Sequence, residues 1–260
     1  MTPEAVDTDA VHTAVCWDLD GTVLRGGTVG GEVLRRAFAT VTGLDAPEGV
    51  AMGGLTDRLV ADAFRDLLPT DQAAALHARG DEYGVAFADA VAAEWAGRDD
   101  ELSAVMRVLP GVDEALEALA AEPGVTQVVV TGNVRAGAEA KLRAAGLADA
   151  PLDLERGAFG HIAGPRENLV HHARAALEEH HGGPVRLVVV GDTPRDVEAA
   201  HAAGAVAVGV ATGHGPESTV ATLRAAGAEH VFDDLSDPGR LVAVVRARGE
   251  DQDEPTRGSV

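Results

Sequence analysis

Lysine is almost missing from this chain of 260 residues: of its 21 basic residues only Lys141 is a lysine, so the other 20 are arginines. Positive charge of any kind is scarce beside 42 Asp and Glu, and the formal net charge is −21. Proteins that bind nucleic-acid backbones or anionic membrane surfaces need clustered positive charge, so neither partner is expected. Cysteine is limited to Cys16, which removes any intrachain disulfide. No uncharged apolar run approaches the roughly 18 to 20 residues of a membrane-spanning helix. Met1 to Ala10 is acidic and lacks the basic start and apolar stretch of a secretory leader. These absences predict a cytoplasmic protein, and the length suits one α/β domain carrying an insertion.

What is present is an alternation of short β-branched runs with Ala/Leu-rich amphipathic stretches. That pattern predicts an α/β fold, with a Rossmann-like, doubly wound parallel sheet covered by helices on both faces. The expected strands are Thr13 to Trp17, Gln127 to Val130, Arg186 to Val190, Ala205 to Val210 and His230 to Phe232. Helical pattern covers Val112 to Ala121, Val134 to Ala145, Asn168 to Glu179, Pro194 to Ala203, Glu217 to Ala226 and Pro238 to Arg246. From Arg25 to about Val108 no strand is expected, only helical segments at Glu32 to Thr42, Thr56 to Leu68 and Asp71 to Ala96. This gap predicts an inserted all-helical cap over 25–108, with the core formed by 10–24 and 109–247. The polar, charged ends, 1–9 and 248–260, are expected to be disordered tails.

Three strand ends carry chemistry. The first reads Asp18-Leu19-Asp20-Gly21-Thr22, where carboxylates at i and i+2 of an extended chain project to one side and a glycine permits a sharp turn. An isolated Asp-x-Asp is usually a solvated turn, but ligand sites in open parallel sheets collect at the carboxyl ends of strands. The second reads Thr131-Gly132-Asn133, a hydroxyl at a strand end followed by a helix start, able to bind an anion through Thr131 and free amides or simply to cap the helix. The third runs from Gly191 through Asp192, Thr193 and Pro194 to Asp196, two carboxylates four residues apart around a turn. Hard cations such as Mg²⁺ take oxygen ligands, so one or two carboxylates plus a substrate phosphate make a sufficient site.

In this order and spacing the three motifs resemble the haloacid dehalogenase superfamily, over about Val11 to Arg246, and within it the phosphoglycolate-phosphatase-like members with a helical cap. In the cap, Gly54-Leu55-Thr56-Asp57 is similar to a segment common in those members. The resemblance implies a phosphatase for a small phosphorylated metabolite, a phosphoglycolate-like monoester, acting as a monomer or homodimer. It implies that Asp18 is the nucleophile that becomes an aspartyl-phosphate and that Asp20 is the general acid/base. It also implies Mg²⁺ held by Asp18, Asp192 and the Asp20 backbone carbonyl, with Asp196 in support. Asp20 must then cycle between protonation states near neutral pH, which calls for a neighbour that raises its pKa. A sugar-phosphate mutase of the same fold and a non-catalytic phosphate-binding or regulatory protein are the alternatives.

Similar proteins hold the phosphate with a basic residue, usually lysine. Lys141 lies eight residues into a helix expected to start near Asn133, about 12 Å from the helix end at 1.5 Å per residue, roughly twice what a lysine spans. Lys141 is therefore expected on the helix flank, as a surface or interface residue. Arg166, after an irregular Gly-rich stretch and directly before a helix, is the preferred phosphate-binding cation, joining Thr131, Gly132 and Asn133. A cap without lysine also excludes Schiff-base chemistry of the phosphonoacetaldehyde-hydrolase kind and weighs against a mutase, whose cap normally supplies one. Asp20 disfavours dehalogenation, because dehalogenases lack that residue. The pairs His171-His172 and His180-His181 have no metal-site pattern, and Gly213-His214-Gly215 is too short for a dinucleotide fingerprint. The cap face with Phe64, Leu67, Leu68, Tyr83, Phe87 and Trp95 is read as packing.

Overall fold

The computed structural model describes residues 11–247, so the expected tails lie outside the described residues. In chain order the elements begin with β1 (His12–Trp17), β2 (Leu24–Arg25), α1 (Val29–Thr42), α2 (Asp57–Asp66), α3 (Thr70–Ala78), α4 (Asp81–Trp95), α5 (Asp99–Val105) and β3 (Arg107–Val108). They continue with α6 (Val112–Ala120), β4 (Val125–Val130), α7 (Arg135–Ala144), β5 (Asp153–Ala158), α8 (Glu167–His181), β6 (Val185–Gly191) and α9 (Pro194–Ala202). The last are β7 (Val206–Val210), α10 (Val220–Ala225), β8 (His230–Phe232) and α11 (Pro238–Arg246).

Six strands form one parallel sheet in the order β5-β4-β1-β6-β7-β8. Side chains alternate between the faces of a strand, and both faces of β1 are apolar. Val15 and Trp17 join one buried cluster with Leu116 of α6, Ala138 of α7 and Leu241 of α11. Ala14 and Cys16 join the other with Leu169 of α8 and Val197 of α9. One buried polar group interrupts the first cluster: Gln127 accepts from Trp17 Nε1 (3.1 Å) and donates to the Leu116 carbonyl (2.9 Å), so its amide is satisfied. β1 lies between β4 and β6, which makes its carboxyl end the switch point of the sheet, where an open α/β fold leaves a crevice.

Helices α1 to α5 fill the stretch between β1 and α6, and the apolar cluster on the β1 Val15/Trp17 face runs on into them through Phe38, Phe64, Tyr83 and Trp95. The stretch is helical but not free of strands: β2 and β3 pair antiparallel at its two ends, as a two-stranded ribbon joining it to the sheet. The expected helix Asp71 to Ala96 is broken at Gly80, whose φ of 55° is left-handed, and α5 was not foreseen. β5 was also missed, because its sequence Asp-Leu-Glu-Arg-Gly-Ala lacks the apolar run of a doubly buried strand. It lies at the sheet edge and pairs with β4 in interrupted register. Leu67, expected in the cap packing face, is 56% exposed. Among the described residues no helix is long and apolar enough to cross a membrane.

Candidate active site

Asp18, Thr131 and Asp192 each follow directly on β1, β4 and β6, so parallel pairing of these three strands brings the three motifs to one crevice. The crevice opens into a cavity of about 290 Å³, lined on one side by Asp18, Asp20, Thr131, Asp192 and Arg166 and on the other by residues of α1, α2, α4 and the loop before α2.

Asp18, Asp192 and Asp196 are buried, and one potential ligand atom from each lies within 4.8 Å of the others. Burial pushes the Asp18 carboxyl upward, reinforced by Asp196 and Asp20 against the pull of Arg166. Asp192 is pushed upward by burial and then by Asp18 and Asp196. The Asp192 side chain accepts from Thr22 Oγ1 (3.3 Å) and Ser218 Oγ (2.7 Å). Backbone closes around it: a Cβ on Gly213 would sit 1.7 Å from Asp192 Oδ2, and one on Gly21 2.4 Å from the same atom. Gly21 also has a φ of 89°, so glycine is needed there twice over. Ser218 and Gly213 escaped the sequence reading. Gly213 belongs to the Gly-His-Gly segment dismissed as a dinucleotide motif, and only its closeness to Asp192 shows its role.

Asp196 has both oxygens engaged. Oδ2 accepts from Thr193 N (3.0 Å) and Thr193 Oγ1 (2.7 Å) at the start of α9, and Oδ1 lies 2.6 Å from Arg166 Nη2. The same Nη2 is 2.6 Å from Asp18 Oδ1. Both contacts lie off the N–H directions, so they are chiefly coulombic. Burial works against the Arg166 charge, but Asp18 and Asp196 outweigh it and raise its pKa. Three buried carboxylates thus face one guanidinium. An all-oxygen donor set in which burial first, and then neighbouring carboxylates, hold back the ionisation of Asp18 and Asp192 suits a hard divalent cation.

Lys141 is where the structure departs most from expectation. It is 4% exposed, not a flank residue, and its Nζ donates to Asp20 Oδ2 (2.5 Å) and Asn133 Oδ1 (2.7 Å), 5.2 Å from the centre of the Trp95 ring. Two features of α7 explain this. α7 starts at Arg135, so Lys141 is six residues in, about 9 Å from the start. The Cα–Cβ bonds of a helix also tilt towards its N-terminus, so the side chain reaches back along the flank to Asp20. Trp95, read as packing, is therefore also a wall of the site. Asn133 Nδ2 donates to Asp20 Oδ2 (2.7 Å) and Thr131 Oγ1 (2.9 Å), tying two motifs together.

Asp20 has 47% of its side chain accessible and lines the cavity. Its surroundings disfavour the charge, but Lys141 and the hydrogen bonds from Lys141 and Asn133 hold the carboxyl below its ordinary value. The neighbours thus act in the direction opposite to the one expected from its acid/base role. The amides after β4 are not all free either: Val134 N donates to Asp57 Oδ2 (2.7 Å), and Asp57 N donates to the Gly132 carbonyl (2.7 Å). The N-terminus of α2 is docked on this loop, and burial pushes Asp57 up to about 6. Thr131 Oγ1 and the Gly132 amide are left to meet an anion.

Comparison with known proteins agrees with this geometry. A family model described as haloacid dehalogenase-like hydrolase matches residues 12–204. The chain is 32% identical over 233 residues to a phosphoglycolate phosphatase of Rhodospirillum rubrum, covering 82% of this chain and 93% of that protein. A hydrolase from Pseudomonas syringae shares the fold, with a TM-score of 0.60 at 19% identity, over 90% of this chain and 99% of that one. A candidate β-phosphoglucomutase from Thermotoga maritima shares it too, with a TM-score of 0.52 at 21% identity, over 90% and 99% of the two chains.

Proposed function

Since the chain belongs to the haloacid dehalogenase-like hydrolase family and is a phosphatase, we propose that it hydrolyses a small monoester of about the size of phosphoglycolate, with Mg²⁺ as cofactor. The observation that carries this reading is the convergence of Asp18, Asp192 and Asp196 around Arg166 at the switch point of the sheet.

Mg²⁺ would rest against Asp18, Asp192 and the Asp20 backbone carbonyl, and when bound it offsets the repulsion between a carboxylate nucleophile and a phosphate dianion. Asp196, with both oxygens engaged, supports the site by fixing Arg166 and the turn into α9. Arg166, Thr131 Oγ1 and the Gly132 amide bind the phosphoryl oxygens, with Asn133 orienting Thr131. Asp18 Oδ attacks phosphorus and the ester P–O bond breaks, leaving an aspartyl-phosphate. Asp20 gives its proton to the departing alkoxide, then takes one from the water that attacks phosphorus and releases Asp18. In the resting protein Lys141 holds Asp20 ionised, and the arriving dianion favours its protonated form. Lys141 thus serves Asp20, and Arg166 serves the phosphate.

A phosphosugar mutase of the same fold is the second reading, favoured by the Thermotoga maritima likeness. The cap offers no lysine, which favours hydrolysis. Release of 4-nitrophenol from its phosphate, with and without Mg²⁺, tests the proposal. Mg²⁺-dependent release that falls by at least about 10³-fold in Asp18→Asn is expected; no release, or equal release by Asp18→Asn, overturns it.

A further inference from the structure

Two half-buried side chains of opposite charge, Arg25 and Glu217, line the cavity without a charged partner among the described residues. The buried charges around them are engaged: Lys141 with Asp20, Arg166 with Asp18 and Asp196, Asp192 with Thr22 and Ser218, and Asp57 with the Val134 amide. Arg25 donates Nη2 to the Thr212 carbonyl (2.6 Å), which brings no countercharge. Its Nε is enclosed without an acceptor, and Nη1 is neither hydrogen-bonded nor enclosed among the described residues. Helix α1 starts just beyond Arg25; its N-cap residue Thr28 makes no side-chain capping bond, and Gly30 and Gly31 of its first turn line the cavity with no side chain to cover their amides. A guanidinium short of acceptors beside an open helix start favours a carboxylate on this side of the cavity.

Glu217 belongs to the same loop as Thr212, between β7 and α10. Its side chain reaches across to the loop before α2, where a Cβ on Gly53 would sit 2.5 Å from Oε1. Arg195 donates to the Gly53 carbonyl (2.7 Å) yet forms no ion pair with Glu217, which also stands outside the cluster of Asp18, Asp192 and Asp196. His214, on the same loop, is exposed. Unmatched charges in a cavity are costly unless a ligand answers them. A leaving group with a carboxylate alone would meet Arg25 but be repelled by Glu217, and one with an ammonium group alone would meet the reverse. Resting on the phosphatase reading above, we propose that the leaving group is a zwitterion: the cavity takes phosphomonoesters of hydroxy amino acids, with Arg25 meeting the carboxylate and Glu217 the ammonium group.

The test compares O-phosphoserine with phosphoethanolamine, which lacks only the carboxylate, and with the phosphate ester of 3-hydroxypropanoate, which lacks only the ammonium group. For the wild-type protein with Mg²⁺, kcat/KM is expected to be at least about tenfold higher for O-phosphoserine than for either of the others. Arg25→Met should narrow the advantage over phosphoethanolamine by about threefold or more and leave the advantage over the hydroxypropanoate ester in place. Glu217→Gln should do the opposite, narrowing only the advantage over the hydroxypropanoate ester. Ratios within one variant cancel any general loss of activity. Equal or better use of either singly charged ester by the wild type overturns the proposal, whether or not the variants fold. So does a ratio that its variant leaves unchanged, or a loss of the carboxylate preference in His214→Gln in place of Arg25→Met. Failure of the underlying reading is distinct, because it would leave 4-nitrophenyl phosphate uncleaved by the wild type.

Discussion

Lys141, a buried lysine, is bonded to the proposed acid/base Asp20, so its loss should be felt according to the leaving group. Lys141 and Asn133 fix the Asp20 carboxylate at the cavity wall, and proton transfer to a leaving group requires such fixing. A nitrophenolate leaves without help, whereas an alkoxide needs the proton. Lys141→Met is therefore expected to lower kcat for an alkyl phosphate by at least about tenfold and for 4-nitrophenyl phosphate by less than about threefold. Equal losses on both would show that Lys141 only supports packing against Trp95. At this scale the carboxylates were legible in the sequence, because Asp18, Asp20, Asp192 and Asp196 sit where apolar strands stop. Lys141 was misplaced because its reach depends on the start of α7 and the tilt of its side chain, and one residue pattern fixes neither closely. Asp57 and Ser218 were not recognised as part of the site because they come to it from segments far from any strand motif.

The inner strands were readable at the scale of elements because burial on both faces leaves a nearly continuous apolar run. β5 was not, because an edge strand need not be apolar. Within the helical stretch, α2 positions the site most directly: its first residue, Asp57, is pinned to the loop after β4. The preceding Thr56 caps it, with Oγ1 accepting from Leu59 N (3.1 Å). Loss of an N-cap costs about 1 kcal/mol, which for a chain of this size lowers the melting temperature by about 2–4 °C. Thr56→Ala should show that shift in a thermal melt and raise KM, because the fraying end carries Asp57; Thr56→Ser, which keeps the hydroxyl, should show neither. A lowered melting temperature with unchanged KM would separate α2 from the site.

For the whole molecule, a charge of −21 extends the proposed Mg²⁺ from chemistry to stability. Asp18 and Asp192 are held above the ordinary carboxylate range of about 4, first by burial and then by carboxylates around them. An acid whose pKa is raised by folding binds more protons in the native than in the unfolded state, so its contribution to stability falls as pH rises from that ordinary range through the raised value. His12, His161 and His181 are lowered, by partial burial first, and act in the opposite direction: the cost of giving up their protons on folding fades as pH rises towards 6.5. The two effects overlap in the metal-free protein and mask each other in a simple melt. They separate in the difference made by Mg²⁺, because the three histidines lie outside the carboxylate cluster and the ion binds only the ionised carboxylates. The rise in melting temperature on adding saturating Mg²⁺ should therefore grow steadily between pH 5 and 8, by about 2–4 °C for each kcal/mol of linked binding. Asp192→Asn should remove most of that rise at every pH while leaving the histidine trend of the metal-free protein in place. A rise that does not vary with pH would place the ion away from these carboxylates.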